Sequence, residues 1–417
     1  MVTTMTITPT ESDRPTETLT IDFRDPAFRA DPYPQLAQLR QHDPVHLTSL
    51  GFWLITRYED VNRLNRDPRL GRDLRKWVGY AVLRPYLAES ALEKCVEQWM
   101  FSLDPPQHTR LRKLFAAAFT PKIVKAMTAE ITAVADELLA KIGSPTQPFN
   151  FMSNFAQPLP VRVIAKLLGL PLTAYDQLKA WSDTLVPVVE PVASRAKREA
   201  ASTAVIEMSH YLQETLAAQP PEPDSLIGQL LAATEQMSQE ELIANLILLF
   251  VAGHETTTNL LGNGLLALLR QPDQLQRLRH EPMLMETAVE ELLRYDGPAN
   301  VNGRAVHEDI EVGGKTIPAG SLVLCMLGAA NRDPLVFSDP DALDIGRKPN
   351  PHVTFGGGVH YCLGAPLARL EAQIALGRIL HHWPVIALEE SGVQWRDFIN
   401  LRGLEKLPIH IQGDYHE

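Results

Sequence analysis

Cysteine is the scarcest residue type in this chain, with three copies at Cys95, Cys325 and Cys362, and one of them stands in a setting that could do chemistry. Cys362 lies in Phe355-Gly-Gly-Gly-Val-His-Tyr-Cys-Leu-Gly364, a glycine-rich loop that runs directly into a helix-forming stretch. Glycines let such a loop lie flat and close beneath a planar group. The helix that follows aims its first amides and its positive dipole end at the sulfur, which favours thiolate over thiol. A thiolate held in this way is a metal ligand. A cysteine without such a context reads as a small buried hydrophobe, and that is the expectation for Cys95 and Cys325.

Two other groups of residues carry chemistry. Ala252-Gly-His-Glu-Thr-Thr257 puts an acid and two alcohols into an otherwise apolar helical stretch. Glycine permits a local widening, so that Thr256 can turn its hydroxyl away from the helix ladder while Glu255 supplies protons from the solvent side. Taken alone, the segment reads better as a capped break between two helices, and only the context of Cys362 reverses that preference. His254 has no second ligand at useful spacing and is read as an ordinary polar residue of the helix. Further on, Glu291-Leu-Leu-Arg294 places opposite charges on one helical face.

The pattern F-x-x-G-x-x-x-C-x-G, preceded in order by these two motifs, resembles the haem-binding signature of the bacterial soluble cytochromes P-450, a family of haem-thiolate monooxygenases. The resemblance extends over nearly the whole chain. It implies a mainly α, α+β fold, a single large helical domain with small β-sheets, with haem between a long central helix and the cysteine loop. It implies Cys362 as the iron ligand, where a thiolate favours O–O cleavage. Thr256 would hold a water or the bound oxygen and Glu255 would relay protons. His108, Arg112, Arg304 and His360 match the positions that donate to the haem propionates. Arg347 would complete a buried triad with Glu291 and Arg294.

The activity implied is hydroxylation or epoxidation of a small organic substrate, with heme b (iron protoporphyrin IX) as cofactor and dioxygen as co-substrate. Electrons from NAD(P)H would arrive through redox partners, a ferredoxin and its reductase, because the chain shows neither a nucleotide-binding module nor an iron–sulfur cysteine cluster. Arg69, Arg72, Arg75, Lys76, Arg110, Arg112 and Lys113 are expected to form a basic patch for an acidic ferredoxin. The pair Glu255 and Thr256 speaks against a peroxide-driven oxygenase; the other alternative is a non-catalytic haem protein, a gas sensor or electron carrier, of which a sensor would ordinarily be coupled to an output domain. The pocket wall is expected from residues 74–100, 171–191, 299–302 and 398–401. Their Trp77, Tyr80, Trp99, Trp181, Val188 and Val189 suggest a mainly apolar ligand. Asn300 is expected to point into that pocket and to bond a polar group of the ligand.

The elements that must position these residues are legible in part. A capping-box pattern at Ser238 to Glu241 opens a helical run that continues to Arg270, longer than most globular helices. A last helix is predicted from about Ala365 to His382. Short β-like runs are predicted at Val45 to Arg57, Ile310 to Leu327 and after Val385, with a short helix over Pro32 to Arg40. The region from Tyr58 to Leu284 reads as helical, broken at Asp104 to Gln107, Ser144 to Gln147 and Gln219 to Asp224. Residues 1–20 read as a disordered polar tail before one domain over residues 21–417.

Composition narrows the classes further. The chain has 417 residues, 45% of them hydrophobic, which suits a globular protein with a large core. Its net charge of -11 argues against a nucleic-acid partner. The most apolar stretch, Leu242 to Gly253, is shorter than a bilayer-crossing helix, which needs roughly 20 residues. The N-terminus lacks the pattern of a signal peptide. Three scattered cysteines fit a reducing cytoplasm, and a monomer is expected.

Overall fold

The computed structural model describes residues 21–23, 25–82, 90–190, 193–218, 226–232 and 237–412. The tail 1–20 and the break expected at residues 219–224 lie outside them. The architecture is α+β with helices dominant. Its axis is one helix, Gln239–Leu269, of 31 residues. Ser238 caps it: the hydroxyl accepts from the Glu241 amide, and the Glu241 carboxylate accepts from the Ser238 amide, which satisfies two of the orphan donors at the helix start. The helix is apolar nearly all round, as a fully enclosed helix must be. It packs against Pro158–Leu167, Arg195–Ala218, Met285–Asp296 and Ala365–His382.

The helix does not widen or break at Ala252 to Asn259, which corrects the expectation from sequence. Thr256 and Thr257 donate their hydroxyls back to the carbonyls of Ala252 and Gly253, at 3.0 and 3.3 Å. These side-chain bonds follow the helix ladder rather than compete with it, and the burial of Val251, His254, Glu255, Thr257, Thr258 and Asn259 supports the regular geometry.

A five-stranded mixed sheet lies at one side, in the order Val45–Leu47, Phe52–Ile55, Leu322–Met326, Val301–Val306, Leu70–Gly71. Only the Phe52–Ile55 and Leu322–Met326 pair is parallel. A three-stranded sheet joins Phe149–Asn150, Pro408–Gln412 and Val385–Leu388. Two hairpin-like pairs complete the β-structure, Ile310–Val312 with Lys315–Ile317 and Gln394–Trp395 with Leu404–Lys406. The larger sheet matters for the site because Val301–Val306 carries Arg304 and pairs with the strand that precedes Arg72. Among the described residues no helix is long and apolar enough to cross a membrane.

Candidate active site

The cysteine loop is built as its glycines demand. Gly356 and Gly358 take φ values of 70° and 65°, in the left-handed region where side chains are strained. A Cβ on Gly358 would stand 2.8 Å from the Asn65 carbonyl oxygen. The Cys362 amide donates to Phe355 O at 3.0 Å and closes the loop. The helix Ala365–His382 starts three residues after the cysteine. Amides of Gly364 and Ala365 donate to the sulfur, and the charges of Arg112 and Arg369 also favour its ionised form. Burial outweighs them and pushes the thiol up from its ordinary value. A cation beside the sulfur would favour its ionised form. Cys362 is nevertheless accessible, so it sits deep in the protein with one open face. By contrast, Cys95 and Cys325 are buried, and burial raises both thiols, to about 11 and about 12.

Basic side chains gather beside the loop. Arg304 is 2% exposed, and its Nε and Nη2 have no hydrogen-bond partner among the described residues. His108 is also 2% exposed, and its Nδ1 has none either. The His108 and His360 rings lie 4.0 Å apart. Burial, followed by the charge of Arg112, pushes His108 down to about 4. Burial and then His108, Arg304, Arg72 and Arg112 push His360 down to about 2. Arg112 reaches the loop itself, donating to the Tyr361 carbonyl at 2.6 Å. Buried donors without acceptors, in a field this positive, are made for an anion, and the propionate arms of a haem fit them.

One member of this cluster was misplaced by sequence reasoning. Arg72, expected on a surface patch, is 8% exposed and donates to the Asn302 side chain and to Gly303 O, the latter at 2.9 Å. Its guanidinium lies over Phe101 at 3.6 Å, and the charge of Arg304 adds to burial in pushing it down. The strand pairing that turns it inward has no local sequence signal. The rest of the expected patch is largely neutralised. Arg69 pairs with Asp67, Arg75 with Asp73, Lys76 with Asp104 and Arg110 with Glu241.

On the central helix, Leu249, Ala252, Gly253 and Thr256 form an accessible stripe at i, i+3, i+4, i+7 on an otherwise buried rod. Glu255 does not face solvent, which corrects the sequence reading: it is 3% exposed, and its Oε2 accepts from Arg396 Nη1 at 2.5 Å. Arg396 lies 141 residues further on and no motif announces it. His254, read as an ordinary polar residue of the helix, has close polar neighbours from another helix. It is buried, and together with Asp183 and Glu255 it forms a compact cluster.

The Glu291, Arg294 and Arg347 triad is assembled as expected. Arg294 makes a two-pronged contact with Glu291 at 2.7 and 2.8 Å, and Arg347 Nε sits 3.1 Å from both Glu291 oxygens. The remaining Arg294 donors go to the carbonyls of Asn331, Pro340 and Ala342, stapling this helix to the segment that leads into the cysteine loop.

The expected pocket aromatics are mostly committed elsewhere. Trp77 packs edge-on against Phe52, Tyr80 donates to Glu93, and Trp99 and Trp181 belong to the core. The side chain of Val189 lies outside the described residues. Asn300 lies against Gly328, its Oδ1 buried without a partner among the described residues, and lines a small cavity with Phe28, Phe398 and Ile399.

Comparison with known proteins agrees with this geometry. The sequence profile of the family described as Cytochrome P450 matches residues 85–404. The chain is 41% identical to cytochrome P450 107B1 of Saccharopolyspora erythraea, over 92% of this chain and 96% of that protein. It is 38% identical to the cytochrome P450 monooxygenase PikC of Streptomyces venezuelae, over 92% of this chain and 91% of the relative. Among solved structures, myxobacterial cytochrome P450 CYP267B1 in complex with myristic acid superposes with a TM-score of 0.86 at 38% identity, covering 94% of this chain and 99% of that one. A thiol held by helix amides, a ring of anion-seeking donors and a match of this extent leave one family: the chain belongs to the cytochromes P450.

Proposed function

We propose that Cys362 would ligate the iron of the haem in this monooxygenase and that Arg72, His108, Arg112, Arg304 and His360 would hold its propionates. The observation that carries the assignment is the orphaned set of buried donors on Arg304 and His108, adjoining a loop whose only sulfur receives two helix amides. When bound, haem activates dioxygen so that one oxygen atom enters a small organic substrate and the other leaves as water. The protein's own part is to hold the ligand, orient the substrate and meter protons. Thr256 holds a water or substrate oxygen with its lone pairs, since its hydrogen is already given to Ala252 O. Glu255, the residue before Thr256 on the same helix, is the internal proton donor.

The substrate is mainly apolar. The accessible helix stripe of Leu249, Ala252 and Gly253 supports this, as does the myristic acid held by the relative CYP267B1. Asn300, with its unpaired Oδ1, is the candidate hydrogen-bond partner for a polar group on the ligand. Electrons derived from NAD(P)H reach the site through a ferredoxin and its reductase. The protein works as a cytoplasmic monomer, in keeping with three unpaired cysteines.

The test is the absorption spectrum of the reduced protein under carbon monoxide. The parent and the variants Cys95→Ser and Cys325→Ser should give the thiolate-type band, and Cys362→His should lose it. A histidine-type band in the active parent protein would sink the assignment.

A further inference from the structure

Asp183, on the helix Tyr175–Leu185, lies at the surface and pairs with Lys179 at 2.5 Å. Beneath it His254 and Glu255 are 2% and 3% exposed. Ligating atoms of all three lie within 4.8 Å of one another. His254 Nδ1 stands 2.7 Å from the Phe250 carbonyl oxygen, a partner that can only accept. That fixes the neutral tautomer, with the hydrogen on Nδ1. Nε2 turns its lone pair towards Ser182 Oγ at 3.2 Å and Glu255 Oε1 at 3.8 Å. Two carboxylates and an imidazole lone pair thus converge on one small space. Besides the Ser182 hydroxyl, they have no hydrogen to share there among the described residues.

Such a space calls for positive charge. Arg396 already holds the far oxygen of Glu255, with Glu405 behind it, and Lys179 holds the outer side of Asp183. What remains between them suits a proton that comes and goes. Burial holds His254 below its ordinary value, whereas Glu255 and Asp183 pull the other way, so the imidazole gives up a proton readily once it has taken one.

We infer that Asp183 and His254 form the route by which protons from solvent reach Glu255, a proposal that rests on Glu255 being the internal proton donor. Asp183 takes a proton from bulk water and passes it to His254 Nε2. The same nitrogen then gives it to Glu255 Oε1, since Nδ1 is tied to the helix carbonyl and cannot serve as the exit. No charge accumulates, because each group returns to its starting state. Nε2 and Oε1 stand 3.8 Å apart. A shift of about 1 Å closes that gap to a hydrogen bond. Asp183 and His254 are relay residues that act through Glu255 and touch neither haem nor substrate.

The experiment uses the haem-loaded protein with NADPH, a ferredoxin and its reductase, and follows NADPH consumption under dioxygen in light and heavy water. Asp183→Asn and His254→Gln should slow consumption by about tenfold and enlarge the solvent isotope effect, and Asp183→Glu should restore the parent rate. A readout independent of turnover is nitrogen NMR of labelled histidine in the reduced, carbon-monoxide-bound protein. There the His254 titration midpoint should fall in Asp183→Asn, because a negative neighbour is lost. Parent rates in Asp183→Asn and His254→Gln beside a slow Glu255→Gln would overturn the route and leave the role of Glu255 standing. A parent rate in Glu255→Gln as well would overturn both.

Discussion

Thr256 and Glu255 are neighbours in sequence, yet the structure gives them different duties. The Thr256 hydroxyl has spent its hydrogen on Ala252 O and faces the accessible stripe with its lone pairs, whereas Glu255 is buried in an ion pair with Arg396. Loss of the Thr256 hydroxyl should therefore leave haem binding intact and spoil the delivery of protons to the right atom. Thr256→Ala is expected to consume reductant at near the parent rate, with most of it released as hydrogen peroxide instead of product. Glu255→Gln should instead slow consumption itself, on the order of tenfold or more, with the ratio of product to reductant less affected. The measurement is product, peroxide and NADPH in one assay, and full coupling in Thr256→Ala would move the assignment to Thr257. The anion-seeking residues can be tested separately. Arg304→Leu removes two buried donors without partners and should speed haem loss to an acceptor protein, while Arg69→Leu, on a surface pair, should not change it.

At the scale of elements, the site depends on keeping the helix Met285–Asp296 fixed to the chain that leads into the cysteine loop. Glu291 and Arg294 are both fully buried, and Glu291 also takes Arg347, the Asp344 amide and Asn350. Removing one member of such a network leaves the others desolvated and unpaired, which costs about 3–5 kcal/mol. Arg294→Met is expected to lower stability by about that amount and to weaken haem retention, since the carbonyls of Asn331, Pro340 and Ala342 lose their donor too. Urea denaturation of the haem-loaded protein checks it, and a change under about 1 kcal/mol would show the network to be dispensable. The triad was legible in sequence because two members share a helical turn and the third follows from the family pattern. The central helix was legible for a local reason as well: the Ser238 capping box marked its start, and its apolar run carried it to Arg270, one residue past its last turn at Leu269. Its regular geometry at Ala252 to Asn259 was not, because propensity marks that segment as weak and the packing of its buried faces overrides the propensity.

Across the whole molecule, sequence reasoning was right about contacts announced locally and wrong where a distant segment decides. Arg396 on Glu255, Asp183 on His254 and the inward turn of Arg72 all join residues far apart in the chain, and so does the packing of Trp77 on Phe52. Charge is where this matters for a partner. The basic patch expected to draw an acidic ferredoxin has Arg72 buried and Arg69, Arg75, Lys76 and Arg110 each matched by a carboxylate, while the chain as a whole carries -11. An approaching acidic partner therefore meets net repulsion at long range, and meets the charges of Arg112 and Lys113 only near contact. Screening reaches about 30 Å at about 0.01 M salt and about 10 Å at about 0.1 M. Raising salt over that range removes the long-range repulsion first, so the rate of reduction by ferredoxin should hold steady or rise, and should fall by less than about threefold up to about 0.5 M. Stopped-flow reduction under carbon monoxide measures it directly. A steep, monotonic fall from the lowest salt would mean that the paired arginines release their carboxylates to the partner, and that the attraction resides in the patch after all.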